Sequence, residues 1–169
     1  MVSFREVSVE DDSARALLAE YFAARAQSFP AAQGTYRTTF PSPTDFVAPR
    51  GVFLVVEGED LAGDASDVGC GGIRLLDGSD DSLGPTGVYE VKHLWLQPHT
   101  RGLGLGRALL AELEVRARQL GGTALVLDTN VSLEAAGGLY RSSGFVEVPA
   151  YNNNPNANLW LRKALTPTS

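Results

Sequence analysis

The spacing of apolar positions changes period along this chain, and each change predicts an element. Phe4 to Val9 alternates apolar and polar and predicts a first strand. Asp11 or Asp12 then caps a helix in which Leu17, Leu18, Tyr21 and Phe22 recur at helical spacing. From Phe29 to Arg50 the period fades, and Pro30, Pro41, Pro43 and Pro49 forbid a long helix, so short helical turns and loop are expected. Gly51 to Glu57 is continuously apolar up to its last residue, as a strand buried on both faces would be. A polar turn over Gly58 to Asp67 separates it from a strand over Val68 to Leu76, and the two are expected to pair as a hairpin. Asp77 to Gly87 reads as a polar loop and Val88 to Leu96 as a strand ending before Pro98. Leu105, Leu109, Leu113, Ala117 and Leu120 mark a long amphipathic helix stopped by Gly121 and Gly122. A strand over Thr123 to Leu127, a helix over Ser132 to Ser142, and strands over Phe145 to Val148 and Asn158 to Arg162 complete the order.

Length and composition narrow the class. A chain of 169 residues, 44% hydrophobic and 20% charged, is expected to form a single domain over residues 1–169 with a sizeable core. It contains no apolar run of transmembrane length and no secretory leader pattern, so a cytoplasmic location without membrane attachment is expected. The net charge of −6, without a Lys/Arg cluster, argues against a nucleic-acid partner. An acidic surface favours cationic acceptors such as amines, but most acidic proteins are simply soluble. With one cysteine, Cys70, and two histidines, His93 and His99, neither a disulfide nor a zinc cluster is expected. Cys70 reads as a small buried residue within a strand rather than a nucleophile.

The candidate chemistry lies at the start of the long helix. Arg101-Gly102-Leu103-Gly104-Leu105-Gly106-Arg107 places three alternating glycines where a helix N-terminus presents free N–H groups and the positive end of its dipole. Glycines admit a phosphate without Cβ clashes, and the arginines add charge. The alternative is a glycine-rich turn that only joins strand to helix. Walker spacing fails, since Arg107-Ala108 stands where Lys-Ser or Lys-Thr is needed. The dinucleotide fingerprint fails too, since Arg107 or Leu109 falls on its last glycine, although Asp128 stands where a ribose-binding acid would.

The pattern that fits is Arg/Gln-x-x-Gly-x-Gly/Ala, present as Arg101-x-x-Gly104-x-Gly106. With the strand Glu90 to Pro98, the run Leu127-Asp128-Thr129-Asn130, and Ala135 to Phe145 carrying Leu-Tyr-x-x-x-Gly-Phe, the chain resembles the GNAT superfamily of acyl-CoA-dependent N-acetyltransferases along nearly its whole length. The resemblance implies an α/β (α+β) domain with a mixed, mainly antiparallel seven-stranded sheet flanked by helices. It implies acetyl-CoA as acyl donor and no metal. The pyrophosphate would lie on the backbone of Gly102, Leu103, Gly104, Leu105, Gly106 and Arg107, beside Arg101, and the pantetheine arm along Leu94, Trp95 and Leu96. Asn130 matches a position that often contacts the cofactor, and many relatives are dimers.

Acetyl transfer to an amine makes three demands. The amine must be neutral, although an alkylammonium has a pKa of ~10.4 in water; the developing oxyanion needs donors; and the departing thiolate needs a proton. Glu90 is the candidate for relaying the amine proton. By two-residue alternation it shares a face with Lys92, Leu94 and Leu96. The alternative is a structural glutamate paired with Lys92 or Arg74. His93 points the other way unless a bulge reverses it, and then becomes the reserve. Tyr140 occupies the family's tyrosine position and is the candidate for the thiolate, with a packing role as alternative. Backbone N–H groups near Leu94 to Leu96 are the candidate oxyanion donors. The acceptor, a small-molecule or peptide amine, would meet Tyr36, Arg37 and Phe40 and the loop of Tyr151, Asn152, Asn153, Asn154 and Asn156, where the asparagines serve either substrate or turn. A non-catalytic acyl-CoA-binding or sensing domain, or a transferase of longer acyl chains, remains as the alternative.

Overall fold

A computed structural model of the chain describes residues 2–76 and 87–166. Seven strands, β1 (Ser3–Glu6), β2 (Gly51–Glu59), β3 (Ala65–Leu75), β4 (Val88–Leu96), β5 (Ala124–Thr129), β6 (Val146–Val148) and β7 (Leu159–Ala164), form one sheet in the order β1-β2-β3-β4-β5-β7-β6. Three helices, α1 (Asp12–Ser28), α2 (Leu105–Gln119) and α3 (Glu134–Ser142), flank it. Every adjacent pair is antiparallel except β4 and β5, which run parallel and are joined by α2 as their crossover.

The continuous apolar run of β2 is explained by its two faces. Val52, Leu54 and Val56 join a core with Leu105, Leu109 and Leu113 of α2, while Phe53 and Val55 join a second core with Leu17, Leu18 and Phe22 of α1. Of the two aspartates able to cap α1, Asp11 does so, its carboxylate accepting from the N–H of Ser13 at 2.9 Å. The segment expected to hold only short turns contains two 3-10 turns, Ala31–Gln33 and Pro43–Phe46.

The element boundaries move at polar positions. β1 stops at Glu6, and Val9, although beyond the strand, is fully buried under α1. The β2/β3 ladder runs on into the expected polar turn, to Glu59 and Ala65, because Asp60 ties the tight turn by accepting from the N–H groups of Ala62 and Asp64. The predicted loop over Asp77 to Gly87 lies, apart from Gly87, outside the described residues.

Two irregularities of β4 position the site. Its parallel pairing with β5 covers only Val88 to Glu90, so from Val91 onward the strands part. Against β3 the register slips by one residue between Cys70↔Trp95 and Gly72↔Lys92, a bulge centred on His93, whose φ is +58°.

Candidate active site

The bulge corrects the expected alternation. Tyr89, Val91, Leu94 and Leu96 all contribute to the α2-side core, so Leu94 and Leu96 do not share a face with Lys92. His93 turns to the α1 side, where its ring meets Tyr21, Phe22 and Phe46 edge-on or tilted at 5.4–5.9 Å, and Trp95 follows it there. Burial, reinforced by the charges of Lys92 and Arg74, pushes the His93 pKa down to about 3, so the imidazole is neutral at pH 7. Its Nδ1 is buried without a hydrogen-bond partner.

Where β4 and β5 part, a cavity of about 540 Å³ opens between α1, the segment after it, the ends of β4 and β5, α3 and the β6/β7 loop. Lys92, His93, Leu94, Asp128, Asn130 and Tyr140 stand on its wall. Tyr140 is only 5% exposed, its ring 5.9 Å from that of Phe145, and burial raises its phenol to about 12. It therefore remains a proton donor at any physiological pH.

Glu90 is absent from the cavity wall and fully buried. Oε1 accepts from Arg74 Nε at 3.0 Å, and Oε2 accepts from the Tyr151 hydroxyl at 2.6 Å. The arrangement is the structural pairing with Arg74 left open by the sequence. Asp128, which the sequence offers only as a ribose-binding acid in a fingerprint that fails, is the carboxylate nearest this chemistry. It lies on the cavity wall, its Oδ1 accepting from Lys92 at 3.0 Å and its Oδ2 from Asn152 at 2.7 Å and Asn154 at 3.1 Å. Burial alone would raise its pKa, but Lys92 and the two amides outweigh it and hold the carboxyl below the usual range. Its place at the end of β5, on the side where β4 departs, was the available signal.

The asparagine run is a scaffold. Asn152 accepts from the N–H of Asn154, and Asn154 from that of Asn156, so alternate side chains fold back on the loop. Asn156 accepts from the Arg37 N–H at 2.9 Å and donates to the Arg37 carbonyl at 2.7 Å. Asn130, 5% exposed, donates to Gln33 and to the Asn156 carbonyl and accepts from the Ser132 N–H, so its amide knits three segments around the cavity.

The three glycines ahead of and within α2 divide their work. Gly102 and Gly104 have φ of +84° and +79°, and a Cβ at either would meet nothing within 4 Å. The chain therefore needs glycine there for its turn, and open space lies outside it. Gly106 is in helix, and a Cβ on it would stand 3.2 Å from Leu139 and 3.4 Å from Leu96, so it allows α2 to close on α3 and β4. The helix ladder starts with the Ala108 N–H donating to Gly104, which leaves the N–H groups of Leu105, Gly106 and Arg107 ahead of it. Arg101 stacks over Trp95 at 5.3 Å, Arg107 donates to Ser142, and Leu103 is 70% exposed.

A sheet that splits at a bulged central strand, with a glycine turn at the start of the crossover helix, invites comparison with known families. The sequence profile of the acetyltransferase (GNAT) family matches residues 15–145. The chain belongs to the GNAT acetyltransferase family. An uncharacterized N-acetyltransferase of Schizosaccharomyces pombe is 33% identical over 111 residues, 66% of this chain; the match spans 61% of that relative's own length. A Klebsiella pneumoniae chain assigned as an acyl-CoA N-acyltransferase superposes with a TM-score of 0.70 at 26% identity, covering 98% of this chain and 99% of that one. The fold is also that of a phosphinothricin acetyltransferase from Sinorhizobium meliloti in complex with AcCoA, at TM-score 0.59 and 19% identity, covering 99% and 93%. The GNAT architecture thus agrees with the seven-stranded sheet expected from the sequence. Among the described residues there is no cluster of metal-ligating side chains and no helix long and apolar enough to cross a membrane.

Proposed function

We propose that this GNAT domain transfers the acetyl group of acetyl-CoA to a primary amine by direct attack. The observation that carries this reading is the parting of β4 and β5 after Glu90, where a cavity lies between the two strand ends with Tyr140 on its wall. The AcCoA complex of the Sinorhizobium relative supports the choice of donor.

The residues present fit that donor. Gly102 and Gly104 leave space for a pyrophosphate against the N–H groups of Leu105, Gly106 and Arg107, with Arg101 and Arg107 beside them. Beyond Glu90 the edge of β4 facing β5 has no ladder partner, so it can meet the amides of a pantetheine arm along Leu94, Trp95 and Leu96, where the Leu96 carbonyl accepts from Arg101 at 3.5 Å. Asn130 stands on the cavity wall, its amide tied to Gln33, Asn156 and Ser132. The donor supplies an activated acetyl thioester.

In the overall change an N–C bond forms, the C–S bond breaks, the amine loses a proton and the thiolate gains one. Tyr140 donates to the sulfur. Backbone N–H groups of the bulged segment near Leu94 polarise the carbonyl. Glu90, expected as the proton relay, acts instead from behind the cavity by holding Arg74 and Tyr151 in place. The amine proton leaves through cavity water past Asp128. Cys70 is fully buried and its thiol is pushed up by burial, which supports attack without a covalent enzyme intermediate. Thiol release from acetyl-CoA across a panel of amines tests the reading: release that depends on the amine and on Tyr140 is expected, and acetyl-CoA binding without turnover would favour a sensing domain.

A further inference from the structure

We infer that the amine taken by this site carries a carboxylate close to its nitrogen and an apolar body, as a free amino acid does. The inference rests on the N-acetyltransferase reading above and names the class of its acceptor. Four cationic side chains stand on the cavity wall: Arg25, Arg37, Arg74 and Lys92. Arg74 is paired with Glu90 at 2.8 Å and Lys92 with Asp128 at 3.0 Å. The other wall carboxylate, Asp45, faces Arg50 at 3.8 Å. Among the described residues, neither Arg25 nor Arg37 has a carboxylate partner. A chain of net charge −6 thus concentrates two uncompensated guanidinium groups on one cavity.

Both are placed in advance. Arg25 lies over the Tyr21 ring at 5.3 Å, and its charge lowers the pKa of the Tyr140 phenol against the larger effect of burial. Arg25 and Tyr140 stand on the wall of the same cavity, so an anion held by Arg25 lies in the space that the Tyr140 side chain also borders. Arg37 is fixed through its backbone, both polar groups being taken by Asn156, which leaves its side chain free to meet a ligand. Guanidinium groups recognise carboxylates through paired N–H donors. The same wall carries Phe22 and Phe40 with ring centroids 6.4 Å apart, and Phe40 remains 46% exposed, an apolar surface a ligand's side chain would cover. The carboxylate takes no part in the bond changes; it orients the nitrogen.

Matched pairs that differ only in the carboxylate test this: phenylalanine with phenethylamine, leucine with isopentylamine, alanine with ethylamine. Turnover is read with acetyl-CoA. Binding is read by calorimetry with CoA and the N-acetylated form of each member. We expect the carboxylate member to be preferred about tenfold or more, in kcat/KM and in Kd, in at least one pair. Arg25→Ala and Arg37→Ala should each reduce that preference, and Arg37→Lys should retain part of it. Equal or better use of the decarboxylated member in every pair, no preference in binding, or a preference untouched by both alanine variants overturns the inference. A carboxylate preference in binding without turnover on any amine would overturn the N-acetyltransferase reading and leave the anion site standing.

Discussion

The Tyr151 hydroxyl donates to Oε2 of Glu90 at 2.6 Å, across 61 residues of sequence. It closes the β6/β7 loop onto the central strand and satisfies a carboxylate oxygen that water cannot reach. Tyr151→Phe leaves that oxygen unpaired, and an unmet buried acceptor costs about 1–3 kcal/mol. Urea unfolding should give an unfolding free energy lower by that amount, seen as a lower midpoint with an unchanged slope. A midpoint within experimental error of wild type would remove Tyr151 as the latch of the loop.

Tyr140 and Glu90 should separate in kinetics. Tyr140→Phe keeps the packing against Phe145 but removes the donor, and should lower kcat about a hundredfold while CoA affinity stays within twofold. Glu90→Gln should act chiefly on stability, since Glu90 does not reach the cavity. If Glu90→Gln instead moves the pH–rate profile and leaves the unfolding midpoint in place, the relay role belongs to Glu90 after all.

Asp128→Asn should lower kcat/KM at least tenfold, because it removes the carboxylate beside which the amine proton leaves and frees Lys92 from its partner at 3.0 Å. Initial rates at fixed acetyl-CoA measure this. A rate equal to wild type would place proton removal elsewhere.

How far the sequence could be read depends on the range of the interactions. The strands and helices were legible because burial repeats along the chain: Val52, Leu54 and Val56 face one core, Phe53 and Val55 the other. The glycine turn was legible because positive φ at Gly102 and Gly104 is a local demand. The bulge at His93 was not, since it is a register slip between two strands, and it reversed the sides of Leu94 and Leu96 relative to Lys92. The partners of Glu90 were also out of sight, because Tyr151 is far along the chain. The second demand on Gly106 was also out of sight: whatever its N–H offers an anion, its missing side chain is needed by Leu139 and Leu96.

The two kinds of glycine predict different failures. Gly104→Asn, a residue that tolerates left-handed backbone, should fold and keep most CoA affinity, whereas Gly104→Glu should fold and lose it. Gly106→Leu should lower the thermal midpoint, because even a Cβ there stands 3.2 Å from Leu139. Full CoA binding by Gly104→Glu would displace the phosphate from this turn.

His93 gives the fold a pH signature. Its folded pKa of about 3 lies below the unfolded value of ~6.5, so the unfolded chain takes up a proton first as pH falls. Stability should be level above ~6.5 and fall by on the order of a few kcal/mol toward the folded pKa. His93→Asn, which accepts the positive φ, should flatten that slope between about pH 6.5 and 5.5, above the range in which most carboxylates titrate. An unchanged slope in melting scans would mean that another group sets it.

In the proposed reaction an acetyl group reaches an amine in the cavity where β4 and β5 part. Mass spectrometry of the acceptor after incubation with acetyl-CoA measures this most directly. One added acetyl group on the amine nitrogen is expected, matched by an equal quantity of free CoA thiol and greatly reduced in Tyr140→Phe. Tight acetyl-CoA binding with no acetylated amine across the whole panel would contradict it.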